Sequence, residues 1–513
     1  MLGLGSLRVS FVHLWPGYCN NDIAIRHTKF SCLISVDIAG IVAVPLIKRK
    51  VLYNSLKEKS KNRKWLFIGL VLVCFVVPSL VVLFVRMEKE APQVILDFDS
   101  AAFGVEQDLS MTLSDEKSGL KKVRIGILKD GREVVLLEKE FPASGWMKKG
   151  TVNRLPLAVS VKPKEMGLSD GKAILRLVVT DYAWRAWGKG NYTYIEKKIE
   201  IDTKSPHIEV LTEAHNISPG GTALAIYKLS EPCTKSGVRV GDDFFPGHPA
   251  GTADDDIYLV FFALAYNQGK GTAIRLEAVD MAGNQSRAGF YHYIKKKGFR
   301  KDTIRISDGF LAGKLPEFET LLTDQPQQRP IDQFLYINRH IRMENKKTID
   351  RVVASCEEKI HWEGVFQRLP GSATRSRFAD QRTYTYKGKI IDHQVHFGED
   401  LASNARSPIP AANGGKVVFA QYLGIYGNTV ILDHGFGLFS LYAHLSGTDV
   451  EKGQTVNRGD IIGRTGTTGL AGGDHLHFSM LVHDTFVTPL EWWDATWINN
   501  NVSGKLKSIG YGE

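Results

Sequence analysis

The sequence predicts a mainly β protein that one N-terminal helix attaches to a membrane. From residue 92 onward, short runs of alternating apolar and polar residues are separated by glycine, proline, asparagine and aspartate, as in antiparallel strands. Residues 65–85 instead form an uncharged run, which as a helix would span roughly 30 Å, the hydrocarbon thickness of a bilayer. With 513 residues, the chain is too long for one core and is expected to form three or four domains.

The formal charge of +10 is concentrated beside this apolar run. Residues 48–64 contain eight Lys or Arg and one acid, Glu58, so they carry +7 and leave only +3 to the remainder. A local basic flank does not make a nucleic-acid-binding face, and no nucleic-acid partner is expected. The flank predicts that residues 1–64 are cytoplasmic, that 65–85 cross the cytoplasmic (inner) membrane once, and that the rest lies in the periplasm or outside the cell. A buried core helix or a cleaved signal peptide fits the run less well.

The extreme N-terminus and the cysteines give weaker signals. Residues 1–47 show no clear periodicity, and we hypothesise that translation begins near Val51. The five cysteines define no disulfide framework, since three precede or lie within the apolar run and two follow it (Cys19, Cys32, Cys74, Cys233 and Cys356). The last two lie in different segments, so free thiols are expected there rather than a disulfide.

Residues 92–298 are predicted to form two β-sandwich modules. Predicted strands lie at 122–128, 173–180, 194–201, 257–264 and 272–279. The segment Leu-Val-Val-Thr-Asp-Tyr-Ala at 177–183 is echoed by Leu-Glu-Ala-Val-Asp-Met-Ala-Gly-Asn at 276–284, and a further strand follows each copy. This repeat resembles the closing hairpin of bacterial immunoglobulin-like modules, which implies modules at 92–203 and 204–298. The acidic run 254–256 could bind calcium but is more typical of a solvated loop.

Residues 299–376 are predicted to be a helical connector. Phe334, Ile337 and Ile341 recur at helical spacing on one face. The segment could act as a simple connector, or as a lid or pro-segment over a site in the last domain, and the sequence leaves these readings open.

Chemistry-bearing residues concentrate near the C-terminus, where seven of the 15 histidines lie between residues 393 and 483. His396 and Asp400 are four residues apart, and His475 and His477 are two apart in a predicted strand, where they would share one face. Tyr442 and His444 would share a face by the same rule. Two imidazoles and one carboxylate can form a zinc site with an open fourth position, which is the catalytic arrangement.

Taken together and in order, these motifs resemble the lysostaphin-type (LytM-like) zinc endopeptidases. The matching runs are His396-Phe-Gly-Glu-Asp400, Gly427 to Gly435, Tyr442-Ala-His444-Leu-Ser, Val450 to Val456, and Gly473-Asp-His475-Leu-His477-Phe, within residues 377–494. The resemblance implies a compact antiparallel β domain of the duplicated-hybrid-motif type. The predicted strands at 416–420, 429–433, 439–445 and 475–482 agree with that fold.

The resemblance also implies site roles, residue by residue. One zinc ion per chain would be held by His396, Asp400 and His477, while His444 and His475 would act on the water and the oxyanion. Three further positions are expected to line the substrate site, although packing is an equally good reading for the first of them: His434, Tyr442 and Arg382. The chain departs from the family where Phe378-Ala-Asp-Gln-Arg382 replaces the usual Phe-Gly-x-Arg turn, and where Ser479 replaces a frequent Glu.

The implied function is hydrolysis of peptide cross-links in bacterial peptidoglycan, with stem peptides as substrate. Residues 495–513 are expected to form a C-terminal tail after the peptidase domain. The β modules are expected to act in spacing and in docking to cell-wall or division proteins. Two rival readings remain: a non-catalytic LytM-like regulator that activates another wall hydrolase, and a scaffold whose zinc only staples the fold. The sequence does not determine which cross-link bond is cut or the oligomeric state.

Overall fold

The computed structural model describes residues 47–98, 100–145, 149–185, 188–323 and 328–512. The first element in this part of the chain is one long helix, Ile47–Arg86. Its segment Lys64–Phe84 is long and apolar enough to cross a membrane, and Pro78 lies inside it. Cys19 and Cys32 lie outside the described residues. So do most of residues 1–47, on which the hypothesis of a translation start near Val51 rests. The chain divides into two units between Leu83 and Phe84, and the second unit holds all the strands described below.

The first β region, at residues 92–203, packs two sheets around one apolar core. The three-stranded sheet contains Gln93–Leu96, Gln107–Ser114 and Arg154–Val161. The five-stranded sheet contains, in spatial order, Ala102–Phe103, Tyr192–Ile201, Gly171–Asp181, Leu120–Lys129 and Arg132–Glu140, and a short pair, Ala143–Ser144 and Lys149–Gly150, stands apart. Alternate residues of the Gly171–Asp181 strand are buried, as the sequence pattern predicts for a strand with one face on a core.

The second β region has the same general layout. One four-stranded sheet contains Ile208–Val210, Gly221–Leu229, Ile257–Leu264 and His248–Pro249. The other contains Asp243–Pro246, Cys233–Val240, Ile274–Asp280 and Gln285–Ala288, and a parallel pair joins His215–Ile217 to His292–Ile294. The predicted strands in both regions are confirmed, whereas their assignment to an immunoglobulin-like family stays a prediction.

The Ile257–Leu264 strand is buried on both faces because the C-terminal domain covers one of them. Phe261 of this strand packs against Trp492, with ring centroids 6.0 Å apart. Nearby, the Thr222 backbone N–H donates to the Glu491 carboxylate at 2.8 Å. The second β region and the C-terminal domain therefore share one apolar core, while the first β region has its own.

The connector begins with a strand, has no helix among its described residues after Val352 and ends in the Ala373–Ser376 strand, so the helical prediction is wrong for its first residues and for 353–376. Lys301–Ile306 pairs in parallel with Gln381–Tyr386, which in turn pairs with Lys389–Val395. The helical part follows as Asp308–Lys314, a 3₁₀ turn at Leu315–Leu321, Pro330–Tyr336, a π turn at Ile337–Ile341, and Arg342–Val352. The predicted apolar face is confirmed, since Phe334, Ile337 and Ile341 are buried.

The C-terminal domain is built on an antiparallel sheet. Its strands are, in order, Ala373–Ser376, Glu399–Ala402, Leu476–Val482, Leu438–Leu445, Asn428–Gly435, Gly415–Tyr422 and Thr455–Val456, with Thr485–Val487 beside Leu476–Val482. A three-stranded sheet contains Pro408–Pro410, Ile461–Arg464 and Gly447–Thr448, and a 3₁₀ turn spans Gly424–Tyr426. The four strands predicted here are confirmed.

The predicted tail is helical and packed. It follows the short helix Pro489–Trp492 and contains Ala495–Ile498, a π turn at Asn499–Ser503, and Gly504–Lys507. Ile498, Val502 and Leu506 are buried at helical spacing in the shared core, and Lys505 Nζ donates to the Leu224 carbonyl at 2.9 Å. Apolar residues on one helical face explain why this segment docks instead of extending into solvent.

The two cysteines that follow the long helix are free thiols, as predicted. Burial raises the pKa of Cys233 to about 11 and that of Cys356 to about 12. Both thiols are therefore protonated at neutral pH and poorly reactive.

Candidate metal centre

Two neighbouring strands and one loop bring His396, Asp400 and His477 together. Asp400 lies on the Glu399–Ala402 strand, directly opposite His477 on the Leu476–Val482 strand. His396 immediately follows the Lys389–Val395 strand, and its backbone N–H donates to the Asp380 carbonyl at 3.0 Å. All three side chains are buried, and the three residues predicted from the sequence lie together in one compact cluster.

The three candidate ligand atoms lie almost at the corners of an equilateral triangle. His396 Nε2 is 2.9 Å from Asp400 Oδ1 and 3.0 Å from His477 Nδ1, and the last two atoms are 2.9 Å apart. The far nitrogen of His396, Nδ1, is 2.9 Å from the Arg377 carbonyl, which can only accept. Nδ1 of His396 therefore carries the proton, and its Nε2 presents a lone pair to the cluster.

Ser479 fixes the tautomer of His477 in the same way. Its hydroxyl donates to the Phe397 carbonyl at 2.6 Å, so the hydroxyl oxygen accepts from His477 Nε2, 3.0 Å away. His477 Nδ1 is then the bare nitrogen, and burial lowers the pKa of this imidazole to about 4. Three acceptor atoms thus face one point with no proton between them, an arrangement that a cation resolves.

Asp400 is ionised although it is buried. Burial alone would raise the pKa of its carboxyl, but the neighbouring histidines, His396 first, hold it well below the ordinary value. Its second oxygen, Oδ2, accepts from Arg382 Nη2 at 2.8 Å. Arg382 was expected to line the substrate site; it does line the cavity described below and also fixes the orientation of Asp400.

Two further histidines, His444 and His475, flank the cluster with their Nε2 atoms toward it. His444 Nδ1 donates to the Thr468 carbonyl at 2.9 Å, and His475 Nδ1 donates to the Gly473 carbonyl at 2.7 Å. The two rings are 4.9 Å apart, and His475 Nε2 is 3.5 Å from Asp400 Oδ1. Burial lowers the pKa of His444 well below its ordinary value, so this imidazole is neutral.

A β-bulge separates His444 from Tyr442, which the sequence predicts on one face. The register between the Asn428–Gly435 and Leu438–Leu445 strands shifts between Asn428 and Val430, opposite His444. His444 itself has a left-handed φ of 65°. The alternation of side chains is broken at such an irregularity, which turns His444 into the cavity and leaves Tyr442 in the core.

His434 and Tyr442 do not line the cavity. His434 Nδ1 donates to the Gly414 carbonyl at 2.6 Å, its Nε2 is 2.7 Å from Ser440 Oγ, and its ring packs edge-on against Phe366. The Tyr442 hydroxyl accepts from the Ala412 N–H at 2.8 Å. Both side chains have satisfied polar atoms within the apolar core, which agrees with the packing alternative for His434, whereas the expected site-lining role of Tyr442 is wrong.

The cluster lies at the floor of a 330 Å³ cavity, large enough to hold part of a peptide chain. One wall comes from the C-terminal domain and includes Ile425, Tyr426 and Leu470. The other wall comes from the connector, through the residues Ile304, Arg305, Ile306, Phe310, Phe334 and Arg342. The connector therefore forms part of the cavity wall. Its sequence had left open whether this segment only links two domains or lies over the site.

Sequence reasoning missed several residues that contribute to the site. Tyr426 lies 5.7 Å from the His477 ring, and Thr468 supplies the carbonyl that orients His444. Neither carries a motif of its own. The glycine-rich run around Thr468 was the only available signal, because Gly427 and Gly469 adopt left-handed φ where the two loops cross.

The residues present fit a zinc ion. Two neutral imidazoles and one carboxylate are a common catalytic ligand set, and a tetrahedral ion with ligands at about 2.0–2.1 Å holds them roughly 3.3 Å apart. The separations of 2.9–3.0 Å are close to that value. The outer partners of the ligands, namely the Arg377 carbonyl, Ser479 and Arg382, are of the kind that orient metal ligands in proteins.

Comparison with known proteins finds a family match and relatives for the C-terminal domain. The model of Peptidase family M23 matches residues 394–489. The peptidoglycan DD-endopeptidase ShyA of Vibrio cholerae is 34% identical over 120 residues, which make up 23% of this chain and 27% of that protein. The DD-carboxypeptidase/endopeptidase Mpg of Neisseria meningitidis is 36% identical over 97 residues, 19% of this chain and 22% of the relative.

The chain thus spans about a quarter of the length of these relatives. The solved catalytic domain of lysostaphin from Staphylococcus simulans is 30% identical; the match covers 25% of this chain and 96% of that domain, with a TM-score of 0.22. The family match contains all five positions predicted for metal binding and catalysis, which are His396, Asp400, His444, His475 and His477. Residues 394–489 therefore form a domain of peptidase family M23.

Proposed function

We propose that the chain is a zinc-dependent endopeptidase that hydrolyses peptide cross-links of bacterial peptidoglycan. The observation that carries this proposal is the convergence of three bare ligand atoms, from His396, Asp400 and His477, at the floor of an open cavity. The names of the relatives support the substrate class and favour a bond between D-amino acids.

A zinc ion at this centre would supply a Lewis acid and a water whose pKa is near neutrality. The remaining steps belong to His444 and His475, whose Nδ1 atoms donate to carbonyls. Burial lowers the pKa of His444, whereas for His475 burial is outweighed by the hydrogen bond to Asp400, which raises the pKa of that imidazole. One imidazole accepts the proton of the attacking water, and the other, when protonated, donates to the oxyanion that forms on the substrate carbonyl. Fixed tautomers keep both nitrogens directed at the reacting atoms.

Arg382 is proposed to contact the substrate as well as Asp400. Its Nη2 is used by Asp400, whereas its Nε is buried and has no partner among the described residues. A buried N–H without an acceptor is costly, so a carbonyl or carboxylate of the bound peptide is its expected partner. This places the peptide along the side of the cavity that Arg382 lines.

We further propose that the chain is a single-pass inner-membrane protein. The span Lys64–Phe84 would cross the membrane, with residues 1–64 inside and the M23 domain in the periplasm or outside the cell, where peptidoglycan lies. The two β regions, at 92–203 and 204–298, would then act as spacers and as docking surfaces for cell-wall or division proteins.

A murein digest tests the proposal directly. Detergent-solubilised full-length protein is incubated with zinc and murein of known cross-link type, and products are identified by mass spectrometry. Release of uncross-linked muropeptides is expected, with at least a 100-fold loss in His475→Ala. His393→Ala is the matched control, since this exposed histidine of the same domain lies outside the cavity, and it should retain activity.

The same digest separates the rival functions. A non-catalytic regulator would bind zinc yet release nothing. A scaffold with a structural metal would unfold on chelation, whereas an enzyme with a catalytic metal should lose activity while its unfolding transition persists. The large apolar core shared with the second β region lies outside the metal cluster, and it supports the second outcome.

A further inference from the structure

A second cluster of acidic side chains lies in the first β region. Glu88, Asp115 and Asp181 each place one carboxylate oxygen within 4.8 Å of the other two. All three residues are buried, with 7%, 7% and 0% of their surface exposed. We call this group the acidic cluster; it shares no residue with the candidate metal centre.

Three separate segments supply the acidic cluster. Glu88 lies two residues after the long helix ends, Asp115 directly follows the Gln107–Ser114 strand, and Asp181 ends the Gly171–Asp181 strand. A site assembled from such distant segments depends on the folded β region. It is therefore distinct from a run of adjacent acids on a solvated loop.

Main-chain and amide donors hold two of the carboxylates in place. Asp115 Oδ1 accepts from the backbone N–H groups of Ser118 and Gly119, at 2.9 and 2.7 Å. Asp181 accepts from the Asn191 backbone N–H at 2.6 Å and from its side-chain amide at 2.9 Å. These bonds fix the positions of both carboxylates but bring no positive charge.

Glu88 is the member whose hydrogen bonding is incomplete. Its Oε1 accepts from the Ser118 hydroxyl at 3.1 Å, but Oε2 is buried and has no hydrogen-bond partner in the described residues. A proton on Oε2 would not resolve this, because the O–H would then lack an acceptor. A cation bound to this oxygen would satisfy it.

The charge of the acidic cluster is also unbalanced. No Lys or Arg among the described residues forms an ion pair with the three carboxylates, and the nearby Lys117 pairs with Glu90 at 2.9 Å instead. Buried carboxylates that lie this close together without a cationic side chain favour a bound metal ion.

The repeat in the second β region offers an internal comparison. Asp280 and Asn284 reproduce the pairing of Asp181 and Asn191, with the Asn284 amide donating to Asp280 at 2.8 Å. Its acidic neighbours, Asp202 and Glu231, are partly exposed, so water can solvate them. Of the two equivalent positions, only the acidic cluster has all three acids buried and an unsatisfied carboxylate oxygen among the described residues.

We propose that Glu88, Asp115 and Asp181 bind one calcium ion. A donor set made only of oxygen atoms favours hard cations, and calcium ligands at about 2.3–2.6 Å can lie up to about 5 Å from one another across the ion. The separations within the acidic cluster agree with that range. The ion clamps the segment that follows the long helix onto the first β region.

Equilibrium dialysis with calcium-45 on the zinc-saturated, full-length protein in detergent tests this site. Wild type is expected to bind one equivalent that Glu88→Gln loses, seen as at least a tenfold fall in affinity. Glu116→Gln is the matched control, because Glu116 is the exposed neighbour of Asp115 and should bind as wild type does. Calcium should also raise the unfolding temperature of wild type and of the control, but not that of Glu88→Gln.

Several results would overturn the proposal. Wild type that binds no calcium at millimolar concentration has no such site, whatever the variants do. Equal binding by wild type and by Glu88→Gln would place any bound calcium elsewhere. Displacement of the bound calcium by an equal concentration of magnesium would assign the acidic cluster to the smaller ion.

Discussion

At the scale of single residues, each imidazole of the candidate metal centre is oriented by a partner on the side of the ring that faces away from it. Main-chain carbonyls accept from Nδ1 of His396, His444 and His475, and Ser479 accepts from Nε2 of His477. Folding therefore fixes which nitrogen of each ring faces the centre. The ligands are arranged without rotation of their rings, which favours tight and specific metal binding.

Ser479→Ala is expected to weaken zinc binding by about 10-fold to 100-fold, because His477 Nε2 loses its acceptor and the ring can take the other tautomer. Zinc affinity is measured by competition with a chromogenic chelator. Ser440→Ala serves as control: this serine is equally buried and contacts His434, which is not a ligand. An unchanged affinity in Ser479→Ala, with the fold intact, would mean that the hydroxyl does not orient the ring.

The resemblance to the lysostaphin-type endopeptidases predicted the three candidate ligands, since local spacing pairs His396 with Asp400, and His475 with His477, but does not choose between the last two. The partners that orient them could not be predicted that way. Thr468 reaches His444 across 24 positions, a contact that only the folded loops create.

At the scale of elements, the bulge at His444 and the connector are the features that shape the cavity. The strand alternation that succeeds for Gly171–Asp181 fails for Tyr442 and His444, because the bulge inserts a residue that no periodicity reveals. The Lys301–Ile306 strand was likewise missed. Its partner in parallel pairing, Gln381–Tyr386, lies about eighty residues away, so a sequence window contains only half of the evidence.

The parallel pair at His215–Ile217 has a pH-dependent stability. His215 Nδ1 donates to the Tyr291 carbonyl, and its Nε2 accepts from the Thr212 hydroxyl at 2.9 Å, so the native ring is neutral. Burial lowers its pKa to about 4, below the unfolded value near 6.5. The unfolded chain therefore binds more protons, and the stabilisation, complete above pH 6.5, is lost as the pH falls toward 4.

Between pH 7 and pH 5, protonation of His215 in the unfolded chain is expected to lower the free energy of unfolding of wild type by about 2 kcal/mol. His215→Gln should be less stable at pH 7 but should lose about 2 kcal/mol less over that interval. Urea unfolding at both pH values gives the two slopes. Parallel losses in the two proteins would show that His215 is protonated in the native state at pH 5.

At the scale of the whole molecule, the second β region and the M23 domain share one core. Phe261 packs on Trp492, Glu491 accepts from Thr222, and Lys505 reaches Leu224. The sequence predicted separate modules at 204–298 and 377–494, because a domain boundary is read from composition and linkers. Apolar faces that cover each other across such a boundary leave no local signal.

A chain shortened to begin at residue 299 is expected to be insoluble or to lack a sharp unfolding transition. Each large apolar side chain that it uncovers costs roughly 1.5–3 kcal/mol, and a few of these exceed the usual stability of a domain. Beginning the chain at residue 204 instead should restore a soluble protein with a cooperative transition by calorimetry. Equal behaviour of the two shortened chains would show that the interface contributes little.

This shared core also bears on how such a gene can change over generations. Recombination tends to exchange segments that fold by themselves, and residues 377–494 would arrive in a new host gene with one apolar side uncovered. The heritable unit is therefore the longer stretch from residue 204 to the C-terminus. Substitutions at Phe261 and Trp492 are then expected to occur together across descendants, whereas the first β region can be replaced, duplicated or lost with little effect on the M23 domain.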